Sequence, residues 1–312
     1  MVSLKELKAA FEANKHIYDS ALLTFKGVEG YDVYNCSVPF KYKGTTHVYG
    51  RVEKREEWAN SHVCLFEETG KDEFTAVPGL RLDLEDPYVQ NVNGEMIFGG
   101  THVRKEGEKV VTYYGHFYRG TPEKLTYFTT GPDYMKDIRV VPLQDGRLGV
   151  FSRVRTKEEV YVGFTTVDTV DDLTTEAIAS AKPIDFIKPD TWGGVNQAYL
   201  LSSGKVGCIA HAAYSDITPS GQPLQVYVNI SFVFDAETRQ LEAEQIIGTT
   251  SCYPPGPIKR PFLEDCVFAS GIVMREDGKS DLYSGVGDSY EGRITIEYPF
   301  KEYGGIVGEL SF

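Results

Sequence analysis

Leu84-Glu85-Asp86-Pro87 sets two carboxyl groups side by side ahead of an apolar run, and a carboxylic acid so placed can protonate a departing oxygen. Taken alone, Glu-Asp-Pro more often opens a turn, because proline fixes its own φ and moves the preceding residue out of the helical region. Asp86 becomes a candidate acid only if other polar groups converge on it. Nucleophilic hydrolase signatures are missing: there is no Gly-x-Ser-x-Gly elbow and no cysteine in a catalytic context. There is no Walker loop, and Gly285-Val286-Gly287 lies between strands rather than before a helix. The six histidines show no metal-ligand spacing, so no metal site is expected. Acid catalysis by a carboxyl group beside a cationic binding site is what these residue types leave.

Glycosidic bond cleavage fits that pair of functions, since it needs an acid for the departing oxygen and a nucleophile for the anomeric carbon. A hydrolase brings a second carboxylate to activate water. A phosphorylase uses inorganic phosphate as the nucleophile and needs Arg, Lys or His groups to hold the dianion. One well-placed Asp with Arg104, Arg153 and His211 at inward positions suits the second arrangement better. Singly, each basic residue is more simply a strand-end charge; their shared register argues otherwise.

That register comes from a repeat. Five turn glycines each precede an apolar strand: Lys43-Gly44 into Thr45–Arg51, Asn93-Gly94 into Glu95–Thr101, Asp145-Gly146 into Arg147–Arg153, Ser203-Gly204 into Lys205–His211, and Asp277-Gly278 into Lys279–Gly285. The spacings of 50, 52, 58 and 74 residues each accommodate a four-stranded antiparallel sheet. The expectation is an all-β chain, a five-bladed β-propeller occupying residues 1–312 as one domain, with a β-sandwich or two small β domains as the competing readings. Residues 1–20 form an N-terminal extension in which Ser3 caps a short helix over 3–14, with Leu4, Leu7, Ala10 and Phe11 on one face. Eight or nine residues before the turn glycine stand Asn35, Asp86, Asp137 and Asn196, with Asp265 thirteen before the fifth. Seven after it stand Arg51, Thr101, Arg153, His211 and Gly285, with Asp288 close behind. In a propeller these positions face the central channel and form a site for a polyhydroxylated or anionic ligand.

Composition sets the limits. The 312 residues are 41% hydrophobic and 12% aromatic, as in a packed β protein. With 32 basic and 45 acidic residues the net charge is −13, which argues against a nucleic-acid or anionic-membrane partner but not against a local phosphate site. Five scattered cysteines without a Cys-x-x-Cys pair, charged residues throughout the first fourteen positions and no apolar run of membrane length lead to the expectation of a soluble cytoplasmic protein. The oligomeric state is not indicated.

In order along the chain, Val33-Tyr34-Asn35, Arg51-Val52-Glu53, Leu84-Glu85-Asp86-Pro87, Lys136-Asp137 running to Pro142 and Arg153, Gly194 before the strand ending in His211, Val267-Phe268-Ala269-Ser270-Gly271 and Leu282–Asp288 resemble the inverting mannoside phosphorylases of glycoside hydrolase family 130. The chain is most similar to their shorter relatives, the β-1,2-mannosyltransferase/phosphorylases of glycosyltransferase family 108. The resemblance spans residues 30–300 and implies a five-bladed propeller acting on manno-oligosaccharide and phosphate, with no cofactor. It gives Asp86 the role of general acid, working through a hydroxyl of the bound mannose. It sets Asn35, Arg51 and Asp288 on the mannosyl unit, and Arg104, Arg153 and His211 on phosphate. Lys136 and Asp137 share a motif in which the lysine goes with the phosphate ligands; Asp137, like Asn196, goes with the sugar. Two positions depart from the pattern: Tyr88 stands where an arginine often follows Glu-Asp-Pro, and Trp192 where a phosphate-binding lysine precedes the Gly-rich segment. Trp192 leaves room for a nucleotide-sugar donor. An inverting hydrolase and a propeller that only binds carbohydrate are the remaining alternatives.

Overall fold

The computed structural model describes every residue except Met1, Glu108, Lys157 and Ile187. Five sheets surround one axis, antiparallel except where Thr24–Lys26 adds parallel to Glu73–Ala76 at the edge of the first, each running from an innermost to an outermost strand as the glycine spacing predicts. The first blade begins with Asp32–Tyr34 and Phe40–Tyr42, both paired to Thr45–Glu53. The innermost strands of the second to fifth blades are Glu85–Val92, Met135–Pro142, Thr191–Leu200 and Val267–Met274. Closure comes from the N-terminal side: Asp19–Leu22 pairs with Tyr290–Ile296 as the outermost strand of the fifth blade.

The hydrophobic core lies between blades. Phe98 and Tyr49 pack the first blade on the second, Ile97 and Val150 the second on the third, and Phe151, Phe164 and Phe232 the third on the fourth. The helix spans Leu4–Asn14; Ser3 caps it as expected, and Glu6 completes a reciprocal cap. It rests lightly on the outside: Leu4 touches the core of the third and fourth blades and Phe11 that of the fourth and fifth.

Below the inner-strand starts the axis is closed by side chains. Gln90 donates to the carbonyls of Val140 and Ala198 at 3.1 and 2.9 Å, Gln197 to that of Val89 at 3.0 Å, and Arg139 to that of Asn196 at 2.7 Å. The channel is therefore a cup with a floor, open at one end.

Candidate active site

The inner strands of the second to fifth blades each carry a bulge where they enter the cup, and that of the first is interrupted between Tyr34 and Phe40. Glu85 pairs with Thr101 and Tyr88 with Gly99, so Asp86 and Pro87 together oppose a single residue. Glu85-Asp86-Pro87 is thus a bulged strand start rather than a turn. Asp86 adopts φ +49°, and Asn35, Asp137 and Asp288 adopt +46°, +51° and +50°. Short polar side chains tolerate this left-handed region, which explains the Asn or Asp at these four positions; Asn196, the fourth-blade member of the register, is not left-handed. In the fourth blade the slip falls between Val195 and Gln197, at Asn196. In the fifth it falls between Ala269 and Gly271, so the fifth member is Ser270 and not Asp265. Asp265 instead accepts from Thr250 Oγ1 at 3.0 Å and pairs with Lys8 of the N-terminal helix at 2.8 Å.

An inner cavity of about 360 Å3 is lined by Asn35, Arg51, Glu85, Asp86, Thr101, Lys136, Arg153, Arg155, His211, Tyr227 and Asp288, among others. Charge is divided by blade around it. The first, second and fifth blades, contiguous around the axis, supply Asn35, Arg51, Glu85, Asp86 and Asp288; the third and fourth supply Lys136, Arg153, Arg155 and His211.

On the acidic side Arg51 is the hub. Its Nη1 donates to Asp86 Oδ1 at 3.0 Å and its Nη2 to Glu85 Oε1 at 2.9 Å, with Glu53 Oε2 at 3.5 Å. Asn35 Nδ2 also donates to Asp86 Oδ1 at 3.0 Å. Burial pushes the Asp86 carboxyl up, but Arg51, Lys136 and the Asn35 amide outweigh it and hold the group below the ordinary aspartate value. Burial dominates at Glu85 and Asp288, and both are raised despite Arg51. Glu53, buried behind Arg51, pairs with Lys259 and accepts from Tyr34 OH at 2.6 Å.

On the basic side Lys136 forms no ion pair with any described carboxylate. Burial works against its charge, yet Asp137, Asp86 and Glu85 together raise its pKa. Arg153 Nε approaches Asp137 Oδ2 at 3.2 Å, and its Nη1 donates to His211 Nε2 at 3.5 Å. His211 Nδ1 in turn donates to Asn196 Oδ1 at 2.9 Å. Burial, with Lys136 nearby, pushes His211 down to about 3, so the imidazole is neutral.

The structure brings Asn35, Arg51, Asp86, Lys136, Arg153, His211 and Asp288 to one cavity. Asp137 and Asn196 stand one layer behind, where they hold Arg153 and His211 rather than line the space. Arg104 is not brought there. It is exposed near the outer end of Glu95–Glu106, on the face opposite Thr101 and Val103, because side chains alternate along a strand. By the same alternation Arg155 shares the inward face of Arg153, a signal that sequence inspection could have used. Lys259 and Glu291 had no such local signal.

A second, outer chamber of about 720 Å3 adjoins the first and shares Tyr113, Lys136, Arg153, Arg155, Gln225 and Tyr227 with it. Its own wall includes Asp190, Thr191 and Trp192. Trp192 Nε1 donates to Tyr227 OH at 2.9 Å, which fixes the indole ring, and Tyr227 stacks on His211 with centroids 5.8 Å apart.

Residues 9–302 match the family described as Protein of unknown function (DUF1861). The chain is similar to MPT-4, a mannose phosphorylase from Leishmania mexicana in complex with phosphate ion: 66% identity, 99% of this chain and 97% of that one covered, TM-score 0.97. It is also similar to MPT-1, a GDP-Man-dependent mannosyltransferase from Leishmania mexicana: 50% identity, 100% of both chains, TM-score 0.95. A structure from the GH130 family of mannoside phosphorylases, which contains hydrolases targeting β-1,2 mannosidic linkages in Candida mannan, shares 15% identity over 90% of this chain and 87% of that one. Its TM-score of 0.56 shows a common fold. Comparison with curated proteins gives no match.

Proposed function

The chain belongs to the DUF1861 family and to the mannosyltransferase/phosphorylase enzymes that it matches at 50–66% identity, and from that premise we propose that it is an inverting mannoside phosphorylase. Its substrates are β-linked manno-oligosaccharides, β-1,2 by the family resemblance, and inorganic phosphate; its product is α-mannose 1-phosphate. The observation that carries this reading is the division of charge across the inner cavity. Carboxyl groups gather round Arg51 on one side, and the other side offers cations of which Lys136 has no described counter-ion.

In phosphorolysis an oxygen of the dianion forms a bond to the anomeric carbon from the side of Lys136 and Arg153. The bond from that carbon to the departing oxygen breaks on the opposite face, and Asp86 supplies the proton that this oxygen takes. The steps reverse in synthesis, with the Asp86 carboxylate as base. Phosphate also prepares the acid: a dianion at Lys136 offsets part of the positive field that depresses Asp86, which moves its carboxyl toward the protonated form. Glu85 does not make a hydrolytic pair with Asp86. An inverting hydrolase needs its two carboxyl groups about 6.5–9.5 Å apart across the scissile bond, whereas Glu85 and Asp86 are gripped by one guanidinium. Inorganic phosphate serves as co-substrate, and the reaction calls on no metal. The five cysteines are free thiols, which supports the cytoplasmic reading.

The outer chamber favours one further reading, transfer from a nucleotide sugar. It continues from the phosphate cations, on the face an α-linked donor would occupy, and Trp192 offers a base a stacking surface. Incubation with β-1,2-mannobiose tests both. Mannose 1-phosphate that forms only with phosphate, and falls about 10²–10⁴-fold in Asp86→Asn, is expected. Mannose release without phosphate, or transfer from GDP-mannose alone, would overturn the phosphorylase reading.

A further inference from the structure

Glu291 is only 1% exposed on the strand Tyr290–Ile296, and no described cation pairs with it. Its carboxylate accepts from Ser270 Oγ at 2.6 Å and from the backbone N–H of Cys36 at 3.1 Å, and the Asn35 N–H adds to the same anion. Consecutive N–H groups turned inward beside a left-handed residue form a small anion-binding concavity, and here the anion is a side chain of another blade. The residue in that conformation is Asn35, whose Nδ2 holds Asp86 Oδ1. Asn35 is confined from the other side as well: a Cβ at Gly285 would lie 1.9 Å from its Oδ1.

We infer that Glu291 is a positioning residue for the acid: it fixes the Asn35–Cys36 backbone, and through Asn35 it sets Asp86. Ser270, the fifth-blade counterpart of Asn35, Asp86, Asp137 and Asn196, orients the Glu291 carboxylate in turn. A buried carboxylate without a counter-ion lowers stability, so a fold that keeps one obtains something other than stability from it. Burial indeed pushes Glu291 up to about 7. The inference rests on the phosphorylase reading only for the identity of the acid.

The test is a double-mutant cycle of Glu291→Gln and Asn35→Ala. In mannose 1-phosphate formation each single variant lowers kcat at least tenfold with the phosphate KM within twofold, and the double variant is no worse than Asn35→Ala. Additive losses, or an unchanged kcat in Glu291→Gln, overturn the proposal. The same cycle read in urea midpoints at pH 8 needs no turnover, and there the two shifts also fail to add. A wild type that forms no mannose 1-phosphate refutes the phosphorylase reading and leaves the urea cycle to decide this one, where additive shifts overturn it.

Discussion

Replacing Glu291 by Gln removes a charge that the fold holds at a loss, and the pH dependence of that loss can be worked out. The carboxyl rises from 4.5 to about 7 on folding, chiefly through burial. Below pH 4.5 it is neutral in both states and contributes nothing. Between 4.5 and 7 the unfolded chain ionises first, so the folded state loses ground as pH rises; above 7 the penalty is complete, about 3 kcal/mol. The sign is opposite to that of a salt-bridged carboxylate such as Asp86, whose contribution is present above its unfolded pKa and is lost only as pH falls through its depressed folded value. Urea unfolding of wild type and Glu291→Gln at pH 5, 6, 7 and 8 measures the difference directly. Glutamine also alters the contacts to Ser270 and the Cys36 N–H, but that offset does not vary with pH. The variant should gain on the wild type steadily from pH 5 to 7, by about 2 kcal/mol over that range, and then level off. Curves parallel throughout would mean that Glu291 is ionised in both states at pH 5, and the account of an uncompensated buried anion would be wrong.

Lys136→Gln should raise the phosphate KM at least tenfold. By removing a cation that depresses Asp86 it should also move the acid limb of mannose 1-phosphate-dependent synthesis to higher pH, read from kcat/KM profiles. Gly285→Ala places a methyl group 1.9 Å from Asn35 Oδ1 and 2.6 Å from its backbone nitrogen, so kcat should fall at least tenfold with the phosphate KM within twofold. Such a clash costs about 1–3 kcal/mol, visible in the urea midpoint. Arg104→Ala, at an exposed side chain outside the cavity, should leave both phosphorolysis parameters within twofold of wild type; a large rise in phosphate KM would mean that its strand end folds over the site.

What the sequence made legible was whatever local chemistry dictates. Tight turns favour Asn-Gly or Asp-Gly, and a bulge in the left-handed region tolerates Asn and Asp, so both the blade repeat and the placement of Asn35, Asp86 and Asp137 left marks on single stretches of chain. Ser270 was missed although it stands eight residues before Gly278, because Asp265 offered a charge and serine is a weaker sign of a bulge. Glu291 and Lys259 were invisible for a different reason: each meets the first blade only through the packing of the fifth, and no spacing along the chain records that contact. Asp86 and Asp137 show where the division falls. They share a residue type, a register and a backbone conformation, with φ of +49° and +51°. Yet Arg51 and Asn35, both from the first blade, help bring the Asp86 carboxyl down, while burial prevails over Lys136 and Arg139 and brings that of Asp137 up. Local sequence decides where a carboxyl group stands; the blade packed against it decides which way its affinity for a proton is moved.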